Sequence, residues 1–152
     1  GVDDGTRIRL AGKGEAGTRG GASGDLYLFI NVKSHELFKR SDVNLFFEFP
    51  ISIADAALGT TIEIPTIDGG KAKIKIPEGT QSGKQFRLKG KGMPFMRRGD
   101  FGDLYVQVKT EVPVSLNKEQ KELLEKFRKI ENDRSNPSIK KFFQKAKNFW
   151  KS

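Results

Sequence analysis

Alternating apolar and polar positions predict a series of β-strands in the first two thirds of the chain. In the segment 26–32, one face carries only aliphatic side chains: Leu26, Leu28, Ile30 and Val32. The segment 43–49 alternates likewise, and Pro50 is expected to end it because proline cannot donate a ladder hydrogen bond. The segment 104–108 continues the pattern. The body of the chain is therefore predicted to be mainly β, with antiparallel or mixed pairing.

Two local signals lie between these strands. Residues 53–58 are expected to form a short helical turn closed by Gly59. The segments 60–64 and 71–76 flank Asp68-Gly69-Gly70, which is typical of a tight hairpin turn. In the second of these strands the apolar residues are expected to face inward and the lysines to face water.

Near the C-terminus the period of the pattern changes from two to about 3.6 residues. Asn117 and Gln120 resemble a capping box, and Leu123, Leu124, Phe127 and Ile130 follow with helical spacing. A second helix is expected after Pro137, with Ser138 as its N-cap. Its apolar stripe is Ile139, Phe142, Phe143, Ala146, Phe149 and Trp150. A partner subunit, an anionic membrane surface or the chain's own β domain could cover this stripe, and periodicity alone does not choose among them.

The chain also repeats itself. The sequence from Arg9 to Gly14 returns as the sequence from Arg87 to Gly92, and Gly24-Asp25-Leu26-Tyr27 returns as Gly102-Asp103-Leu104-Tyr105. Both blocks recur in one register without a gap, which indicates a repeated supersecondary unit. A long β-rich lead precedes the second copy and not the first. We therefore expect that the chain begins within a repeat and is a C-terminal piece of a longer protein.

The cysteine and histidine counts and the net charge limit the kinds of site that the chain can form. The 152 residues include no Cys and one His, which excludes disulfides, Cys-ligated zinc and multi-His metal sites in this chain. The net charge of +9 invites a nucleic-acid interpretation. However, residues 138–152 hold +5 of that charge, so the remaining chain carries only +4.

Short motifs give no active site. Asp100-Phe101-Gly102 spells a kinase triplet without the other kinase motifs, and Arg98-Gly99-Asp100 spells an integrin-binding tripeptide in a glycine-rich turn. The paired glycines lack the spacing of a phosphate loop and are expected at turns that need positive φ. His35 is expected in a solvated loop. No set of nucleophile, base and orienting group is found, so the chain is not expected to be an enzyme.

Several separated motifs, in order, resemble the C-terminal substrate-binding region of the DnaJ family of J-domain co-chaperones. They are the repeat blocks, Ser34-His35-Glu36-Leu37-Phe38-Lys39-Arg40, Gly90-Lys91-Gly92-Met93-Pro94 and the run from Arg98 to Val106. The resemblance covers nearly the whole chain. It implies tandem β-sandwich-like domains, the first one truncated, followed by C-terminal amphipathic helices. The expected boundaries are 1–40 for the end of the first domain, 41–114 for the second and 115–152 for a dimerisation segment.

The resemblance also implies a non-enzymatic chaperone fragment that binds unfolded polypeptides, forms a homodimer and works in the cytoplasm. In the longer protein, clients would be delivered to the DnaK chaperone. No cofactor is expected here, because the family's zinc lies in a Cys-rich module that this sequence lacks. Neither a nucleic acid nor a membrane is an expected partner.

Site residues follow from the same resemblance. The family binds non-native polypeptide in an apolar groove of the first domain and extends its sheet by a strand. Leu28 lies where the family places a pocket residue, with Leu26 and Ile30 as same-face neighbours, although Leu28 as plain core is an equal alternative. Dimerisation is expected through Leu123, Leu124, Phe127, Phe142, Phe143, Phe149 and Trp150.

Two alternatives come from other function classes. A basic nucleic-acid-binding β module would bind less tightly as salt is raised, because phosphate contacts release counterions. An extracellular adhesion or carbohydrate-binding β-sandwich would use the Arg-Gly-Asp turn and bind cells or glycans.

Overall fold

A computed structural model describes residues 2, 5, 7–11, 24–29, 33, 35–96 and 99–152. The described strands are β1 (Arg7–Leu10), β2 (Leu26–Phe29), β3 (Lys39–Ser41), β4 (Asn44–Ser52), β5 (Thr60–Pro65), β6 (Lys71–Ile76), β7 (Gln85–Leu88) and β8 (Leu104–Glu111). The described helices are α1 (Ile53–Leu58), α2 (Lys118–Ile130) and α3 (Pro137–Lys151). The chain divides into two compact units, Gly1–Val112 and Pro113–Ser152. The first is mainly β and the second is helical, as the sequence predicts.

The core of the first unit lies between a four-stranded sheet and a separate hairpin. The strand order of the sheet is β3-β4-β8-β7. The β4–β8 pair is parallel, and the β3–β4 and β7–β8 pairs are antiparallel. Its inward residues are nearly inaccessible; Leu104, Val106 and Val108 are 0% exposed. They pack in one cluster with buried residues of α1 and of the β5–β6 hairpin, including Ile64 and Ile76. This arrangement makes the sheet mixed, one of the two possibilities that the alternation left open.

The β5–β6 hairpin and α1 form where the sequence predicts them. The strands pair antiparallel around the turn at Asp68, with the inward side chains of β6 half-buried or buried and its lysines exposed. Ser52 caps α1 by accepting a hydrogen bond from the Asp55 N–H at 3.0 Å. Gly59 ends the helix at a φ of 80°, a conformation that favours glycine. These elements are set by neighbours in sequence, which explains why local patterns predict them.

The two copies of the repeat have the same strand pairing. In the β1–β2 hairpin Arg9 is opposite Tyr27 and Leu10 is opposite Leu26. In the β7–β8 pair Arg87 is opposite Tyr105 and Leu88 is opposite Leu104. The four pairs of each ladder match at the constant offset found in the sequence. The repeat is therefore confirmed as a repeated unit of backbone structure across the described strands.

Pro50 does not end β4, so that expectation is wrong. The Leu45 N–H donates to the Asp103 carbonyl oxygen at 2.9 Å, on the β8 side. N–H groups of a strand alternate between its two edges, so the Pro50 nitrogen faces the opposite edge. There β3 pairs only with residues 44–46. The missing donor costs no ladder hydrogen bond, and β4 continues to Ser52.

The helical unit contains α2 and α3. Asn117 and Gln120 form the expected capping box, since each side chain bonds to the other residue's backbone N–H at 2.9 Å. The expectation for α3 is wrong by two residues, because Asn136 and not Ser138 is its N-cap. Pro137 occupies the first turn, where a proline lacks no intrahelical hydrogen bond. The helix α3 therefore starts at Pro137, one residue before Ser138, the side chain that resembles an N-cap in the sequence.

Candidate functional site

The β1–β2 hairpin brings two of the predicted site residues onto one apolar face. Leu28 lies opposite Ile8 and Leu26 lies opposite Leu10. Both leucines are 40% exposed, whereas Ile8 and Leu10 are half-buried. Ile30, the third predicted residue, lies outside the described residues. The face is a small, partly exposed apolar surface.

The opposite face of this hairpin carries Arg7, Arg9, Tyr27 and the exposed Phe29, and both of its arginines contact neighbouring side chains. The Arg9 Nε donates to Asp25 Oδ2 at 2.7 Å, and the Arg7 guanidinium lies 4.9 Å from the centre of the Tyr27 ring. The second copy repeats the first of these contacts, because Arg87 Nε lies 3.0 Å from Asp103 Oδ2. These contacts hold the ends of each ladder and leave the aliphatic face free of charge.

The repeat relates Leu28 to a residue of the second copy whose exposure is different. Its counterpart in the second copy is Val106, which is 0% exposed beneath the sheet and hairpin. In that copy β4 covers the second edge of β8. Among the described residues no strand pairs with the corresponding edge of β2. Val106 is buried because it packs in one cluster with α1 and the β5–β6 hairpin, and no such layer is found over Leu28 among the described residues.

A depression of about 370 Å³ lies on the outer face of the four-stranded sheet. Phe46 and Tyr105 stack within it, with ring centres 5.0 Å apart and an angle of 12° between the rings. Its remaining lining is Glu36, Leu37, Lys39, Phe47, Glu48, Gln85 and Gln107. The sequence analysis did not single out this surface. The sequence nevertheless contains a pattern that could have indicated this surface, because β4 carries aromatic residues on both of its faces.

The helical unit exposes both of its apolar stripes. On α2 the exposed fraction is 59% for Leu123, 36% for Leu124 and 51% for Phe127. The predicted dimerisation residues of α3 are 56 to 76% exposed, and they are Phe142, Phe143, Phe149 and Trp150. Phe142 and Phe143 contact each other edge to face at 5.3 Å between ring centres. No residue of either helix is buried.

The single histidine has a structural role in a turn. His35 Nδ1 accepts hydrogen bonds from the backbone N–H groups of Leu37 at 3.1 Å and Phe38 at 3.3 Å. Its ring lies 5.0 Å from the Phe38 ring, which is itself in the core. A nitrogen engaged by two donors cannot act as a general base at the same time. The loop position predicted for His35 is thus correct, and its ring closes that loop.

In the part of the chain that the structure describes, no group of three His, Cys, Asp or Glu side chains is arranged to hold a metal ion. None of the described helices is both long and apolar enough to span a bilayer. Arg98 of the Arg-Gly-Asp sequence lies outside the described residues.

Comparisons with known proteins agree on one family. A family model described as "DnaJ C terminal domain" matches residues 1–113, and one described as "Chaperone protein DnaJ C-terminal region" matches residues 119–152. The chain is 85% identical over all 152 residues to a "Chaperone protein DnaJ" of Pelagibacter ubique (strain HTCC1062), of which it covers 40%. It is 56% identical over 150 residues, 99% of its length, to that of Rhodobacter capsulatus, of which it covers 39%. The chain thus spans about two fifths of the length of these curated relatives.

Proposed function

Because the chain belongs to the DnaJ C-terminal domain family, we propose that it is the part of a molecular chaperone that binds unfolded polypeptide and associates with a second copy, without being an enzyme. The observation that carries the proposal is the family match across both the β unit and the helical unit. In the longer protein, bound clients pass to the DnaK chaperone. No cofactor is required for these steps in this chain.

The apolar face of the β1–β2 hairpin is the proposed client surface. Unfolded polypeptides differ from folded ones in exposing apolar side chains and unpaired backbone groups. The face formed by Leu26, Leu28 and their partners on β1 offers apolar contact. Ile30 extends the same face in the sequence pattern and belongs to the proposal.

Replacement of Leu28 tests the client surface. We expect Leu28→Asp to weaken binding of a fluorescently labelled, reduced and carboxymethylated lactalbumin at least about tenfold, because a carboxylate has to be desolvated in the apolar contact. The measurement is fluorescence anisotropy at constant ionic strength, with native lactalbumin as a competitor that should not displace the probe.

The matched control is Leu58→Asp. Leu58 is an exposed leucine of α1, 74% accessible, and lies outside the proposed surface. Both variants should keep the wild-type thermal unfolding midpoint to within a few degrees. Equal affinities for wild type and Leu28→Asp would contradict the proposed surface, and no binding of unfolded lactalbumin by the wild type would contradict the function.

Association with a second copy is proposed through the exposed stripes of the helical unit. The residues are Leu123, Leu124 and Phe127 of α2 together with Phe142, Phe143, Phe149 and Trp150 of α3. Burying such side chains is favourable, at about 25 cal/mol per Å² of apolar surface. Two copies would also present two client surfaces to one polypeptide, which raises the effective affinity without a new contact.

A further inference from the structure

The turn between β5 and β6 contains a dipeptide that is chemically labile in an unstructured chain. Asp68 is followed by Gly69, which has no side chain to hinder its nitrogen. In such a chain the glycine nitrogen bonds to the aspartate Cγ, and one carboxyl oxygen leaves as water with the amide proton and the carboxyl proton. Water then opens the cyclic imide at either carbonyl. The product is aspartate again or isoaspartate, whose main chain is one carbon longer.

The folded turn engages both reacting groups in other bonds. The Gly69 N–H donates to the Thr66 carbonyl oxygen at 3.0 Å, so the attacking nitrogen is held in a backbone hydrogen bond. Asp68 Oδ1 accepts from the Thr66 hydroxyl and from the Gly70 N–H, the latter at 2.9 Å. The carboxylate is therefore bonded to the nitrogen of Gly70, one residue beyond the nitrogen that would attack its Cγ.

The same bonds keep the carboxyl group in its unreactive charge state. Loss of water requires the protonated carboxyl group, whereas the Thr66 hydroxyl and then the Gly70 N–H hold the pKa of Asp68 below its usual value. The position of the hydroxyl is fixed, because Thr66 is buried. A Cβ added to Gly70 would lie 3.1 Å from both Asp68 Oδ1 and Thr66 Oγ1, so the three residues fit closely.

We propose that Asp68–Gly69 is a modification site that the folded turn closes and that opening of the β5–β6 hairpin exposes, so that isoaspartate at Asp68 records the time spent open. Hairpins open and close rapidly compared with imide formation. The modified fraction therefore follows the population of the open state. This inference depends neither on client binding nor on association with a second copy.

The modification has a structural consequence for the β unit. The added main-chain carbon lies within the loop that the Thr66 N–H closes by donating to the Gly70 carbonyl oxygen at 3.0 Å. This bond ends a hairpin that supplies Ile64 and Ile76, each 1% exposed, to the core. A modified copy therefore cannot rebuild the native turn, and its thermal midpoint should be lower than that of the unmodified chain.

The sequence supplies its own reference for the experiment. Asp4-Gly5 is the one other Asp-Gly dipeptide of the chain. The full chain is incubated near neutral pH in buffer, well below its unfolding midpoint, and in parallel in enough urea to unfold it. Mass spectrometry with electron-transfer fragmentation quantifies isoaspartate at each position. We expect similar rates at Asp4 and Asp68 in urea, and a rate at Asp68 at least about tenfold lower in buffer than in urea.

Two variants loosen the turn without changing the reacting dipeptide. Thr66→Val removes the hydroxyl donor, and Gly70→Ala crowds the carboxylate. In buffer each should raise the rate at Asp68 at least about threefold, whereas the rates in urea should equal that of the wild type. The matched control is Thr61→Val in β5, because the exposed Thr61 side chain makes no hydrogen bond within the described residues. It should be modified at the wild-type rate.

Three outcomes would overturn the proposal. The first is the same rate of isoaspartate formation at Asp68 in buffer and in urea. The second is no acceleration in either turn variant, which would remove the hydrogen bonds of the turn as the cause. The third is an equal acceleration by Thr61→Val and Thr66→Val, which would assign the effect to general destabilisation of the hairpin. Circular dichroism at the incubation temperature checks that each variant is folded. If Thr66→Val does not fold, the wild-type comparison and Gly70→Ala decide the result.

Discussion

Gly102 shows how one backbone position can fix the approach of three segments. Its N–H donates to the Met93 carbonyl at 2.8 Å, and its own carbonyl accepts from the Gly92 N–H at 2.9 Å. A Cβ added to Gly102 would lie 2.6 Å from the carbonyl carbon of Val43. Positive φ was expected for glycines of this region, and Gly90 has it, at 75°. Gly102 is instead needed because another backbone passes too close for a side chain.

The variant Gly102→Ala should therefore destabilise the β unit. Because the contacting atoms belong to backbone, they cannot move aside cheaply, and we expect a loss of about 2 kcal/mol in the free energy of unfolding. Urea unfolding followed by circular dichroism measures it. Gly99→Ala in the same loop is the control, since a Cβ there has nothing within 4 Å. Similar stabilities of the two variants would contradict the close-approach explanation.

At the scale of single elements, local signals predicted more than non-local ones. The turn at Asp68, α1 and the capping box of α2 depend on residues within a few positions of each other, and all three are confirmed. The parallel pairing of β4 with β8 joins segments about sixty residues apart, and alternation does not encode a partner. The depression around Phe46 and Tyr105 depends on that pairing, because the two rings come from these two strands.

The β5–β6 turn contains a carboxylate that makes the stability of the folded state depend on pH. Hydrogen bonds from the Thr66 hydroxyl and then from the Gly70 N–H, the latter at 2.9 Å, hold the pKa of Asp68 below its usual value. Because the folded pKa is lowered, the ionised carboxylate stabilises the folded state at neutral pH, and this contribution is lost as pH falls through the lowered pKa.

We expect the thermal midpoint of the wild type to fall more steeply than that of Asp68→Asn between about pH 5 and pH 2. The asparagine has no carboxylate to protonate but keeps an oxygen that can accept from Gly70. Asp100→Asn serves as the control, because no hydrogen bond of its side chain is found within the described residues. Its midpoint should follow the wild type across the range, and parallel curves for all three proteins would contradict the role of Asp68.

At the scale of the whole molecule, the β unit and the helical unit separate two proposed tasks. Client contact is assigned to the β1–β2 hairpin, and association to the helices. Only part of this division could be predicted from the sequence. Helical spacing predicts the apolar stripes of α2 and α3, and the structure shows that both stripes are exposed. The spacing does not specify what covers them, because an amphipathic helix fits a partner subunit, a membrane surface or the chain's own β unit equally well.

Phe127→Asp tests the division of tasks. A carboxylate in the middle of the α2 stripe would have to be buried between two copies, so we expect sedimentation velocity to show a shift from dimer to monomer at micromolar concentration. Binding of an isolated short apolar peptide should change little, whereas long unfolded chains should bind more weakly as avidity is lost. Glu122→Gln, outside the stripe, is the control and should sediment as the wild type. A variant that remains a dimer would contradict the assignment to α2.

The parallel pairing of β4 with β8 also has a consequence for biosynthesis. On the ribosome β4 is made first, and its partner emerges only after roughly sixty further residues. Until then the alternating leucine, phenylalanine and isoleucine side chains of β4 have only the local hairpin and α1 as cover. During its own translation this chain thus displays the kind of segment that it is proposed to capture in others, and it becomes able to hide that segment only once β8 has cleared the exit tunnel.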